Sequence, residues 1–181
     1  MEHSRNTGME KGFTLVELLI VVIILAILAA IVVPQFSATT DDAKLSSLDA
    51  NLANMRGAVD LYYQQHGAYP GAATSIGTAC AAGPSGATGT GAAASAQAFL
   101  DQLSKYTNAA GESCTKSDAN FKYGPYLKKA ALPANPMTAV ATLSMSTAGA
   151  LGMTSASTNG GWKFDTKTGQ FIADHTDYDD R

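Results

Sequence analysis

Charge is scarce in this chain. Asp, Glu, Lys and Arg make up 15% of its 181 residues, against roughly 25% in an ordinary soluble domain. Twelve basic and 15 acidic side chains leave a formal net charge of −3. That excludes a globally basic nucleic-acid binder, while a local basic patch stays open. From Leu61 through Leu100 there is no charged residue at all. Histidine is nearly missing too: His3, His66 and His175 are the only three. With no nucleophile elbow, no HExxH and no paired carboxylates, catalysis has no motif to rest on. The two cysteines, Cys80 and Cys114, have no histidine nearby and do not make a zinc site. The length suits one modest core and not two ordinary domains.

Apolar residues are abundant and unevenly placed. Leu18 to Val33 is a run of 16 residues without a polar side chain, and from Phe13 the run is 21 residues with one charge, Glu17. As a helix it measures about 31 Å, close to the ~30 Å hydrocarbon core of a bilayer. A buried core helix and a secretory signal segment are the alternatives; the latter is shorter, at ~7–15 apolar residues. The preceding MEHSRNTGMEKG is polar, and its charges (Glu2, Arg5, Glu10, Lys11) sum to zero. Lys11, just before the apolar run, favours a cytoplasmic N-terminus.

The string Lys11-Gly12-Phe13-Thr14-Leu15-Val16-Glu17, followed by the apolar run and Pro34, closely resembles the class III signal of type IV prepilins and type II secretion pseudopilins. The resemblance is strongest over residues 8–36. It implies that a prepilin peptidase cuts between Gly12 and Phe13, removing the leader 1–12, and that Phe13 becomes the N-methylated first residue. It also implies that Glu17 pairs with the Phe13 amine of a neighbouring subunit during assembly. A carboxylate in an apolar helix is costly unless paired or protonated, and is a functional candidate by default; snorkelling to the interface is the other reading. Pro34 removes a backbone donor and is expected to break or kink the helix.

The same resemblance implies a pilin fold: α+β, with a long N-terminal helix packed on a small C-terminal antiparallel sheet. Its parts are a transmembrane or filament-core helix 13–33, an amphipathic half 34–66 and a globular head 67–181. The implied function is that of a structural, non-enzymatic subunit of a type IV pilus or pilus-like filament. A major pseudopilin of type II secretion is the near alternative; a membrane-anchored binding protein that does not polymerise is another class. The implied partners are other pilin subunits, the prepilin peptidase, an inner-membrane assembly platform and, before assembly, membrane lipid. The implied location is the cytoplasmic membrane, single pass with the head outside the cytoplasm, then an extracellular pilus or a periplasmic pseudopilus.

Beyond Pro34, Leu45, Leu48, Leu52, Met55, Val59 and Tyr62 recur at spacings of three and four, one apolar helical stripe expected to face a sheet. Thr40 or Asp41 can cap the resumed helix, and His66-Gly67-Ala68-Tyr69-Pro70-Gly71 stops it. If nearly all of Phe13 to Gln65 is helical, it is roughly 80 Å long. Residues 71–98 contain six glycines and eleven alanines among 28 residues, which reads as a flexible surface loop. Without a lysine its glycines are no phosphate loop. An exported head permits a Cys80–Cys114 disulfide, with two free thiols as the alternative. The family's usual bond includes a cysteine nearer the C-terminus, so this one would enclose a different loop.

Ala98 to Tyr106 has helical spacing. Phe121 to Pro136 contains three prolines, against a long helix or central strand. Ala139 to Thr147 alternates loosely as a strand, and Gly161–Asp165 with Gln170–Asp174 form a hairpin pattern around Gly169. Trp162 and Phe164 share a face expected to be core. Asp174, Asp177, Asp179 and Asp180 read as a solvated acidic tail; calcium is the alternative, and no other cofactor is expected. Lys122, Lys128 and Lys129 are expected to be a solvated face, with DNA contact the minor alternative.

Overall fold

A computed structural model of the chain describes residues 12–77, 80 and 86–181, the side chains of residues 33–38 excepted. Residues 1–11 of the expected leader 1–12, and residues 78–79 and 81–85 of the Gly/Ala segment, lie outside the described residues. The chain divides into two compact units, Met1–Ala43 and Lys44–Arg181. Helix α1, Leu15–His66, supplies residues to both.

The expected break at Pro34 is absent: α1 is helical through it, so no second cap at Thr40 or Asp41 is needed. A proline deletes one helical hydrogen bond. In a helix already nucleated, propagation on either side can absorb that loss. The C-terminal stop falls where the glycine predicts. Gly67 takes φ +68° and its N–H reaches the Tyr63 carbonyl at 2.8 Å, the left-handed cap that glycine adopts without a Cβ penalty.

In the unit Lys44–Arg181 the apolar stripe of α1 is core. Leu48, Leu52, Met55, Val59 and Tyr62 are each at most 3% exposed, and Leu45 is half-buried. Helix α2, Ala96–Ser104, begins at Ser95, whose hydroxyl accepts from the Ala98 N–H. It ends earlier than the expected Tyr106, because Tyr106–Thr107 is strand β1, paired antiparallel with β2, Ser113–Cys114.

A second sheet has the order β3 (Leu143–Ser146), β4 (Trp162–Asp165), β5 (Phe171–Ala173). The β4–β5 hairpin is antiparallel as the turn signal predicts, but β3 runs parallel to β4, with Leu143 opposite Trp162. The expected antiparallel sheet is therefore mixed. Parallel neighbours need a crossover of a dozen or more residues, and residues 147–161 provide 15. Trp162, Phe164, Phe171 and Ala173 pack with Phe99, Leu103 and the α1 stripe in one cluster. The Phe99 and Phe164 ring centroids are 4.7 Å apart. Trp162 is wholly buried and donates Nε1–H to the Pro133 carbonyl at 2.8 Å, a core role and not a ligand platform.

Asp165 pins the end of β4, the central strand of this sheet. One oxygen accepts from the Lys167 and Thr168 N–H groups in the hairpin turn; the other accepts from Ser146 Oγ and Gly149 N. Desolvation pushes its carboxyl upward, but these four donors outweigh it and hold the pKa well below the ordinary carboxylate range.

Candidate assembly site

Gly12, Phe13 and Thr14 precede the first turn of α1, and all three are exposed. The Gly12–Phe13 bond thus lies in non-helical, accessible backbone. A Cβ added at Gly12 would meet nothing within 4 Å, so nothing within the described chain calls for a glycine there.

Thr14 and Glu17 close the start of the helix. Thr14 Oγ1 accepts from the Glu17 N–H at 3.2 Å, while Glu17 Oε2 accepts from the Thr14 N–H at 2.9 Å and its hydroxyl at 2.8 Å. This is a reciprocal capping box, Thr-x-x-Glu. Both partners stand in the sequence at the required spacing, a signal the composition-led reading leaves unused. All the capping bonds fall on Oε2, so Oε1 keeps its acceptor capacity.

Behind the box, Leu15–Val32 is long and apolar enough to cross a membrane, with mean hydropathy 3.3 and none of it buried. Its large side chains are exposed on every face, from 82% at Leu15 to 41% at Val32. A core helix would bury a stripe; this one needs apolar surroundings on all sides.

The segment 71–98 is not a free surface loop over its described residues. Gly71, Ser75, Gly77, Gly89 and Gly91 are buried. Their organiser is Asp101, the first charge after the uncharged stretch, itself 2% exposed. Its Oδ2 accepts from Ser75 Oγ, Thr90 N and Gly91 N at 2.9, 2.8 and 3.3 Å, and its Oδ1 from Gln97 Nε2 at 2.9 Å. Lys105 Nζ lies 2.8 Å from Oδ1. Burial alone would raise the Asp101 pKa, yet the Lys105 ammonium and the hydrogen bonds hold it below the usual range. Next to it, Gln102 Oε1 takes the Gly71 N–H and Nε2 donates to the Gly111 carbonyl. Small residues are required here because backbones approach closely: a Cβ on Gly91 would lie 2.0 Å from Ala98 N. Cys80 and Cys114 are bonded to each other, joining this segment to β2.

The remaining candidates are structural in their surroundings. His66 stacks on Tyr62 at 3.9 Å and its Nε2 lies 3.0 Å from Thr107 Oγ1; burial lowers its pKa. The acidic tail is only partly solvated. Asp174 accepts from Ser144 and Ser155 hydroxyls, and Asp179 from the Ser155 N–H. Arg181 lies 3.1 Å from Asp49, and its carbonyl accepts from Arg56. Among the described residues no three His, Cys, Asp or Glu side chains gather as a metal site. Lys122 sits over the Tyr123 ring, while Lys128 and Lys129 are exposed.

A family model, the prokaryotic N-terminal methylation motif, matches residues 8–33. Curated relatives include a fimbrial protein of Neisseria meningitidis serogroup B, 42% identical over 71 residues, 39% of this chain and 42% of that protein. The type II secretion system core protein G of Pseudomonas aeruginosa is 43% identical over 61 residues, 34% of this chain and 43% of that one. A type IV narrow pilus major component of Thermus thermophilus is 52% identical over 48 residues, 26% of this chain and 41% of that protein. The chain thus spans less than half the length of these relatives. No solved structure matches. Over its N-terminal residues the chain therefore carries the methylation motif and is similar to type IV pilins and to a type II secretion core protein.

Proposed function

We propose that this protein is a structural, non-catalytic subunit of a type IV pilus. It would polymerise through its N-terminal helix after cleavage between Gly12 and Phe13 and N-methylation of Phe13. The observation that carries the reading is the helix Leu15–Val32, apolar on every face and wholly unburied, behind a capped carboxylate. Lipid satisfies such a surface before assembly, and the same segment of neighbouring subunits satisfies it afterwards.

Glu17 has a defined part in that exchange. The capping box holds Oε2 against Thr14 and leaves Oε1 able to accept from the ammonium of an incoming Phe13. Each charge is costly in an apolar medium and tolerable when paired, so the pair sets axial register while the apolar surface supplies contact area. The prepilin peptidase and an inner-membrane assembly platform are the partners this route requires, with the head outside the cytoplasm. The likeness to a type II secretion core protein G supports a second reading, a periplasmic pseudopilus.

Electron microscopy of filaments sheared from cells, with mass spectrometry of the subunit N-terminus, tests both. Long surface filaments whose subunit begins at methylated Phe13 support the pilus, and short retained filaments support the pseudopilus. An uncut leader overturns the processing step.

A further inference from the structure

The irregular segment after Phe121 is anchored at two points. The Tyr126 and Leu127 N–H groups both donate to the Leu103 carbonyl, each at 2.8 Å, and the Pro133 carbonyl accepts from Trp162 Nε1 at 2.8 Å. Between this segment and α1 lies a hollow of about 510 Å³. Met55, Leu127, Leu132 and Pro133 make its apolar walls. Met55 and Leu132 are 3% and 7% exposed, so its floor belongs to the packed core and the cavity is pre-formed. The volume falls within the ~300–1,000 Å³ of small-molecule sites.

The charged lining is of one sign. Lys128 and Lys129 stand at the hollow, both exposed, and make no hydrogen bond or ion pair among the described residues. Asn51 and Asn54 reach it from the same face of α1 as Met55 and add amide donors. No Asp or Glu lines it. Two other hollows, of about 290 and 330 Å³, differ in this respect: both contain Arg56, but Asp60 lines the first and Asp179 and Asp180 the second. A chain of net charge −3 thus places two cations and no balancing carboxylate at this apolar hollow.

We propose that the hollow binds a small organic carboxylate, its apolar body against Met55, Leu127, Leu132 and Pro133 and its anionic head at Lys128 and Lys129. Burial of the body supplies affinity, and the lysines select and orient the anion. Lysine is a compact charge with three rotatable donors, so it takes a carboxylate without the fixed fork that arginine imposes. Four apolar side chains around one hollow suit a compact ligand; a docked helix needs a groove with anchors repeated along its length. The site lies wholly within Lys44–Arg181 and does not depend on the filament reading.

The test uses the full chain in an uncharged detergent, irradiated with 4-benzoylbenzoate, a photoreactive carboxylate with an apolar two-ring body. Labelled peptides are mapped by mass spectrometry, with the neutral amide of the same compound as control. The expected label falls on peptides carrying Met55 or Leu127–Pro133, several-fold more from the carboxylate than from the amide. Lys128→Glu with Lys129→Glu should cut that label several-fold and raise labelling by the cationic (4-benzoylbenzyl)trimethylammonium. Ala131 is exposed and lines the hollow; Ala131→Trp keeps both lysines, fills the space and should remove the label. Equal labelling by carboxylate and amide, unchanged labelling in the lysine variant, or label confined to Leu15–Val32 overturns the proposal. So does label on the solubilised chain that is absent when the cells' own membranes are irradiated, since a protein would then occupy the hollow. None of these outcomes bears on the Gly12–Phe13 cut or on filaments.

Discussion

Glu17 Oε2 lies 2.9 Å from Thr14 N and 2.8 Å from Thr14 Oγ1, while Thr14 Oγ1 accepts the Glu17 N–H in return. Under the proposed assembly, one carboxylate therefore has two separable duties, capping its own helix and offering a charge to a neighbour. Glutamine keeps the first and loses the second, because its amide oxygen still accepts from the cap N–H. Alanine loses both. Glu17→Gln and Glu17→Ala should each leave the subunit in the membrane fraction and abolish sheared filaments on an immunoblot. Wild-type filament yield from Glu17→Gln would show that the cap, not the charge, is what assembly needs.

Asp101 gives the protein an acid-sensitive joint. Its folded-state pKa is depressed, as is that of Asp165, so each contributes stability that is complete above the unfolded carboxylate value of about 4. That contribution is lost as pH falls through the lower, folded value. Thermal melts of the full chain in detergent should show stability dropping steeply below pH ~4. Asp101→Asn should cost about 2–3 kcal/mol at neutral pH, because Lys105, Gln97 and two backbone donors lose a charged acceptor. Its acid limb should be shallower. A limb parallel to the wild type would remove Asp101 from this role.

The Cys80–Cys114 bond closes a loop with a sequence separation of 34. In the chain-entropy account such a loop stabilises by about 3–4 kcal/mol, chiefly by restricting the unfolded chain. Calorimetry of the full chain with and without reductant should show a Tm lower by several degrees after reduction. An unchanged Tm, with both thiols shown to be free, would mean that hydrogen bonds such as Gly89 N to Ser113 O, 2.9 Å, hold the segment without it.

Legibility in the sequence followed the range of the interactions. The three-and-four spacing of Leu48, Leu52, Met55, Val59 and Tyr62 is a local property, and the structure buries that stripe. The Trp162–Asp165 and Phe171–Ala173 strands around Gly169 were readable for the same reason. Strand period carries no direction, so nothing in residues 139–147 announced a parallel partner. Pro34 reads locally as a break, and the continuity of α1 comes from the turns on either side. The Gly/Ala segment misleads most, because its small residues are those of a linker. Its ordering partners are Asp101 and Gln102, outside it in sequence. At the candidate assembly site the apolar run and Glu17 are plain in the sequence. The capping bond was also local, carried by Thr14 three residues before Glu17.

Two glycines separate freedom from necessity. Gly57 lies inside α1, and a Cβ there would meet nothing within 4 Å. Gly57→Ala should therefore raise the stability of the full chain by about 1 kcal/mol, the difference in helix propensity. Gly91 is the opposite case. Its Cβ would fall 2.0 Å from Ala98 N and 2.4 Å from Ala98 Cα, backbone atoms that cannot swing aside as a flexible side chain can. Relief would require moving the start of α2 or giving up the Gly91 N–H bond to Ser75 Oγ, 2.8 Å long. Gly91→Ala should cost at least ~1–3 kcal/mol, the usual range for overpacking. Urea titrations of both variants beside the wild type measure the contrast. Equal midpoints for Gly91→Ala and the wild type would mean that segment 71–98 is loose in solution and that Asp101 does not organise it.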